Sequence, residues 1–159
     1  MAMTRYTLRT AALTIFTAVA LAAAPHAQAT KAGADRHLRV YKSPTCGCCA
    51  KWVQYMQANG FTATVTDLTD MASIKTQNGV PARAQSCHTT LVGGYVIEGH
   101  VPVEDVRRLL KEKPAVVGLA APGMPAGSPG MDVPNSPPYD VVSFDKNGKT
   151  TAFATHTPK

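Results

Sequence analysis

Three of the four cysteines in this 159-residue chain fall within four positions, Cys46-Gly47-Cys48-Cys49. They follow a turn-like Lys42-Ser43-Pro44-Thr45 and open a segment of helical character from Ala50 to Ala58. A helix start carries N–H groups without intrahelical partners and the positive end of the macrodipole, and both favour a thiolate. The thiolate is the form of cysteine that attacks disulfides and binds soft metals. The cluster therefore points to thiol redox chemistry, to thiophilic metal binding, or to both. Further soft donors follow at Cys87-His88, His100, Met124 and Met131. Thiolate, thioether and imidazole together suit Cu(I), and zinc less selectively.

Each downstream donor also has a plainer reading. Cys87 could pair with one of the clustered cysteines in a disulfide, which is compatible with a redox role. His88 could cap or turn the chain, and His100, ahead of Val101-Pro102, could be a surface loop residue. Met124 and Met131 could anchor their loop on the core rather than ligate. His37 and His156 read as ordinary surface residues. Two structural disulfides stapling a secreted domain fit the spacing poorly. Cys48 and Cys49 are neighbours, and a Cys46–Cys49 bond closes too small a loop to restrain the unfolded chain much. A structural zinc site from Cys46, Cys49, Cys87 and His88 would leave Cys48 over and place two ligands on adjacent residues. Three clustered thiolates can instead bridge several Cu(I) ions. The enzyme alternative is thiol–disulfide exchange, with Cys46 attacking and Cys49 resolving the mixed disulfide.

These side chains need a scaffold, and the hydrophobic pattern describes one. His37 to Tyr41 reads as a first strand. Trp52, Val53 and Met56 recur at helical spacing behind the cysteines, and Asn59-Gly60 is a helix stop. Phe61 to Leu68 alternates apolar residues with threonines, as a strand does. Asp67 or Asp70 can cap a short helix from Met71 to Gln77, closed by Asn78-Gly79. Thr89 to Gly94 and Tyr95 to Glu98 form a hairpin around Gly93-Gly94. Pro102 starts a third helix with Val103, Val106, Leu109 and Leu110 on its inner side, and Pro114 stops it. The order β-α-β-α-β-β-α is that of an α/β, thioredoxin-like domain, in which a cysteine motif at the start of the first helix is the working site. A cis-proline usually stands directly before the third strand of such an oxidoreductase. Here Cys87-His88 occupies that place, which favours metal binding over exchange. After this core, about residues 37–114, come an apolar run, a Pro/Gly-rich loop holding both methionines, and a hairpin of Tyr139 to Phe144 with Thr150 to Ala154. The segment 115–155 reads as an appendage to the same domain.

Residues 1–29 have the three parts of a secretory signal: Arg5 and Arg9, apolar Ala11 to Ala24, and Ala27-Gln28-Ala29. The apolar run falls short of the roughly 20 residues a membrane-spanning helix needs. The expected product is residues 30–159, one soluble domain exported to the periplasm. The signal holds two arginines and no acids, so the net charge of the remainder is +4 against +6 for the whole. Arg107, Arg108, Lys111 and Lys113 interleave with Glu104, Asp105 and Glu112, the pattern of a solvated helix face rather than a nucleic-acid footprint.

The motifs in combination carry a resemblance. They are Tyr41-Lys42-Ser43-Pro44-Thr45-Cys46-Gly47-Cys48-Cys49, Gly79-Val80-Pro81, Ser86-Cys87-His88-Thr89, Gly94 through Pro102, and Pro122-Gly123-Met124-Pro125 through Gly130-Met131. Over about residues 37–155 the chain resembles the CopG-like family of exported bacterial copper-resistance proteins. The resemblance implies a thioredoxin-like fold and a part in periplasmic copper tolerance. It implies copper ions held, as a multinuclear cluster with a redox role, by Cys46, Cys48, Cys49 and Cys87 first, then His88 and His100. The expected partners are copper ions and other periplasmic copper-handling proteins, with no nucleic acid and no membrane.

Overall fold

The structure, a computed structural model, describes residues 36–158; the expected signal at 1–29 lies outside them. β1 (His37–Lys42) buries Leu38, Val40 and the stem of Lys42 on alternate positions. A turn leads into α1 (Gly47–Ala58), whose Cys49, Trp52, Val53 and Met56 form one buried stripe. Asn59 caps the helix, and Gly60 takes the left-handed conformation at φ 85° that ends it. β2 (Thr62–Asp67) returns parallel to β1, with α1 as the crossover that parallel pairing requires.

Asp70, not Asp67, caps α2 (Met71–Gln77) by accepting the Ser73 N–H at 3.1 Å. A 3-10 turn at Ala82–Ala84 precedes β3 (His88–Val92), which runs antiparallel to β1 and to β4 (Tyr95–Glu98). Gly93 and Gly94 both have positive φ, as a two-residue hairpin of the primed type requires. α3 (Val103–Glu112) follows, with Pro102 at its N-cap. Then come β5 (Gly118–Ala120), β6 (Tyr139–Phe144) and β7 (Thr150–His156). The sheet order is β2-β1-β3-β4-β5-β6-β7. The architecture is α/β in the chain order expected for a thioredoxin-like domain. Among the described residues no peptide bond is cis, and no helix is long and apolar enough to cross a membrane.

Both sheet faces are covered. Ile97 and Leu119 join Trp52, Met56, Val106 and Leu109 in the larger apolar cluster. Their chain neighbours Val96 and Ala120 point the other way, into a smaller one with Val80, Ala84 and Phe144.

Three sequence expectations change. The alternation of Phe61, Ala63 and Val65 is expressed only in part: Phe61 is buried and Ala63 packs on the core, but β2 is an edge strand and Val65 stays 42% exposed. The C-terminal segment is more than an appendage: β5 pairs parallel with β4 and antiparallel with β6, so the sheet runs through it. His156 is not an ordinary surface residue. Its Nε2 lies 2.6 Å from the buried Asp105 carboxylate, while Arg108 donates to the Phe153 carbonyl at 2.8 Å. Together they fasten β7 to α3.

Candidate metal centre

The topology explains why distant donors meet. β1 pairs with β3 so that Lys42 stands opposite His88. The chain leaves β1 at Lys42 and reaches Cys46 four residues later, so the cysteine turn rises beside the start of β3. On the other side, the Gly99 N–H donates to the His88 carbonyl at 2.8 Å and brings His100 alongside.

Cys46 is the N-cap of α1, and its sulfur accepts the Cys49 N–H at 3.3 Å. Cys46 and Cys49 are joined as a disulfide, the pair expected for exchange chemistry, while Cys48 and Cys87 are free thiols. Cys48 Sγ lies 3.5 Å from Cys46 Sγ. All four sulfurs lie within 4.8 Å of one another. A second group with the same spread joins Cys49, Cys87, His88 and His100, so two donor sets share Cys49 and Cys87. The six proposed ligands therefore fall into two overlapping groups. The adjacency of Cys87 and His88 is no obstacle, because Cys87 precedes the strand and its sulfur turns back to 3.4 Å from His88 Nδ1.

The two histidines are held differently. His100 Nδ1 lies 2.7 Å from the Pro129 carbonyl, which can only accept, so this nitrogen carries the proton. Nε2 is thereby left with its lone pair, 2.9 Å from Cys87 Sγ. His88 is fully buried, its ring 4.6 Å from that of Trp52 and 5.1 Å from that of His100. Its Nε2 has no hydrogen-bond partner among the described residues. The nitrogen beside the thiol is Nδ1, 3.4 Å from Cys87 Sγ, and the lone pair of this neutral buried ring is one that a soft cation would satisfy.

Burial sets the protonation states. It holds the His88 imidazole well below the usual histidine range, helped by the charges of His100 and Lys75. It lowers His100 too, against the opposing Pro129 contact. Both rings are therefore neutral and able to ligate. Burial, with the neighbouring Cys48, pushes the Cys87 thiol up to about 12. The thiolate stabilisation expected for the cysteines at the start of α1 does not extend to Cys87. Cys87 stands at the entrance to β3, not on α1 itself.

The Pro/Gly loop covers the cluster. Gly123 donates to the Gln85 carbonyl at 3.1 Å. Gly130, at φ 86°, packs so closely on α1 that a Cβ there would sit 2.8 Å from the Trp52 nitrogen and 2.9 Å from the Cys48 oxygen. Met124 is 43% exposed on this loop, and Met131 is partly buried. The sequence reading missed Pro129, Gly130, Glu98 and Lys75. The only signal for Pro129, Gly130 and Glu98 was their place in the resemblance motifs, and Lys75 gave none.

Comparison with known proteins adds a relation. A family model described as a protein of unknown function, DUF411, matches residues 84–131, the stretch from Ala84 through Cys87, His88 and His100 to Met131. No curated protein matches the chain. A solved structure described as copper resistance protein copG, form 1, is 39% identical with a TM-score of 0.72, covering 77% of this chain and 98% of its own. The form 2 structure is 38% identical with the same TM-score, covering 76% and 98%.

Proposed function

This chain belongs to the CopG family of copper resistance proteins, and from that premise we propose that it holds Cu(I) in the periplasm through clustered thiolates. Cys46, Cys48, Cys49 and Cys87 supply sulfur, and His88 and His100 complete the site. A copper-related function has two supports, the family and the cysteine cluster. The observation that carries the finer reading is the gathering of four sulfurs within 4.8 Å beside two neutral imidazoles. A soft monovalent cation is what such a donor set selects, and zinc would not use all of it. Two overlapping donor groups support more than one ion per chain. Binding by every sulfur requires two electrons from an external thiol reductant to open the Cys46–Cys49 bond, and loss of the remaining thiol protons.

The test is a Cu(I) titration of the reduced protein, under anaerobic conditions, against a competing chelator. More than one tightly held ion, lost on Cys46→Ser or Cys87→Ser, is the expected result. Failure to compete at any ratio would overturn the reading.

The Cys46–Cys49 disulfide favours a second reading, thiol–disulfide exchange with Cys46 attacking and Cys49 resolving. Rapid reduction of a test disulfide together with no copper retention would establish it instead. We also propose that residues 1–29 are a cleaved export signal and residues 30–159 one domain. N-terminal sequencing of the periplasmic protein should then begin near Thr30.

A further inference from the structure

Glu98 is not one of the proposed donors, yet its carboxylate is completely buried beside the site. Oε1 accepts the Ser86 backbone N–H at 2.7 Å and pairs with the Lys75 ammonium. Oε2 accepts the Thr89 hydroxyl at 2.7 Å. Lys75, itself 6% exposed, also donates to Thr89 Oγ1 at 3.3 Å. Ser86 and Thr89 are the residues on either side of Cys87-His88. One carboxylate therefore grips the donor dipeptide from both ends.

The same strand end leads through Gly99 to His100. Gly99, at φ 70°, passes so close to Ser86 that any Cβ would collide with the serine side chain. The two donor-bearing segments are thus locked face to face. A buried ion pair costs more desolvation than apolar residues of equal volume, and stability alone is a weak reason to keep one. A carboxylate offers what those residues lack: two acceptor oxygens fixed to one carbon.

We propose that Glu98, neutralised by Lys75, is a positioning residue for the metal pocket, holding Ser86 and Thr89 so that the Cys87 thiol and the His88 ring face the clustered sulfurs. The inference rests on the copper reading of the site, and its test is built so that either can fail alone.

Two uncharged double variants are compared with the wild-type chain. Glu98→Gln with Lys75→Met keeps an acceptor for the Ser86 N–H. Glu98→Leu with Lys75→Met keeps the volume and removes the acceptor. The first measurement uses copper-free protein with the Cys46–Cys49 disulfide intact. Iodoacetamide labelling of the two free thiols is followed by mass spectrometry, with Cys48 as the internal reference. The second is the Cu(I) competition titration. In the leucine variant we expect Cys87 to label about tenfold faster and Cu(I) affinity to fall about tenfold, with Cys48 unchanged, as loss of a charge-assisted hydrogen bond requires. The glutamine variant should stay within about threefold of wild type on both readouts.

Equal behaviour of the two variants would overturn the proposal. So would faster labelling of Cys48 and Cys87 together, because that reports general loosening. If the leucine variant does not fold, Thr89→Val removes one of the two grips. About threefold faster labelling at Cys87 alone then supports the proposal, and unchanged labelling overturns it. A wild-type chain that holds no copper but shows the labelling pattern leaves the clamp standing and removes the copper reading. Tight copper binding with identical labelling in all variants does the reverse.

Discussion

His100 presents Nε2 to the Cys87 sulfur at 2.9 Å because its other ring nitrogen is committed to the Pro129 carbonyl at 2.7 Å. A loop residue 29 positions downstream therefore decides which nitrogen of this histidine is free to bind. The arrangement depends on how the loop seats against α1, and Gly130 is the point of closest approach.

Gly130→Ala should unseat that loop. The added methyl meets the Trp52 nitrogen and the Cys48 oxygen at a left-handed φ of 86°. Strain and collision together should cost about 1–3 kcal/mol of stability, seen as a lower denaturant midpoint. The His100 ring should also lose its single tautomer, which imidazole nitrogen chemical shifts report. An unchanged midpoint and an unchanged tautomer pattern would refute the account of the loop.

Cys48 separates the two functional readings. It takes no part in the Cys46–Cys49 disulfide, yet its sulfur lies 3.5 Å from Cys46 Sγ. Cys48→Ala should weaken Cu(I) retention by tenfold or more, on the order of 1.4 kcal/mol, while leaving reduction of a test disulfide unaltered. Equal copper retention in competition with a chelator would count against a four-sulfur site.

Copper affinity should rise with pH. With its thiol pushed up to about 12, Cys87 is protonated at neutrality, so binding must displace that proton. Each displaced proton steepens the dependence by about tenfold per pH unit. His88, held well below the usual histidine range, and His100, lowered as well, are neutral above about pH 7 and add no proton to the slope there. Cys87→Ser should flatten the curve by one proton, measured as Cu(I) affinity across that range. A slope shared by variant and wild type would contradict the assignment.

Acid should destabilise the copper-free protein through His88. The folded state holds its imidazole well below the ordinary value of 6.5 that the unfolded chain retains. Below that value the unfolded state binds a proton that the folded state refuses. Stability is therefore fully present above pH 6.5 and is lost as pH falls toward the folded value, by up to about 1.4 kcal/mol per pH unit. Glu98 acts in the opposite sense: burial raises its carboxyl, so its contribution is lost as pH rises from 4.5 through the raised value. Replacing the ring by an apolar one of similar size, His88→Phe, should remove the histidine part. Urea unfolding between about pH 5 and 7 measures it, and a variant as acid-sensitive as wild type would exclude this cause.

The sequence was informative where the signal is local. Period and capping residues located α2, the β3–β4 hairpin and α3 within a residue or two, through Asp70, Gly93-Gly94 and Pro102, and Asn59-Gly60 fixed the end of α1, whose start at Gly47 lies three residues before the expected Ala50. Residues 118–120 gave no strand signal. Three residues are too few to alternate, and Gly118 is there because the Val96 backbone leaves no room for a Cβ. Donor type made the six proposed ligands candidates, and the family resemblance singled them out from His37, His156 and the loop methionines. The groups that orient them could not be picked by type, since a carbonyl at Pro129 and a carboxylate at Glu98 act through contacts 29 and 12 residues away in the chain.

The cover over the cysteines comes late in the polypeptide. Pro129 and Gly130 are made, and cross any membrane, long after Cys46, and β5 cannot extend the sheet until β4 is in place. While the chain emerges from its N-terminal end, the sulfurs spend an interval without a roof, open to oxidants and to whichever ion arrives first. The roof is therefore built from residues that follow all four cysteines in the chain.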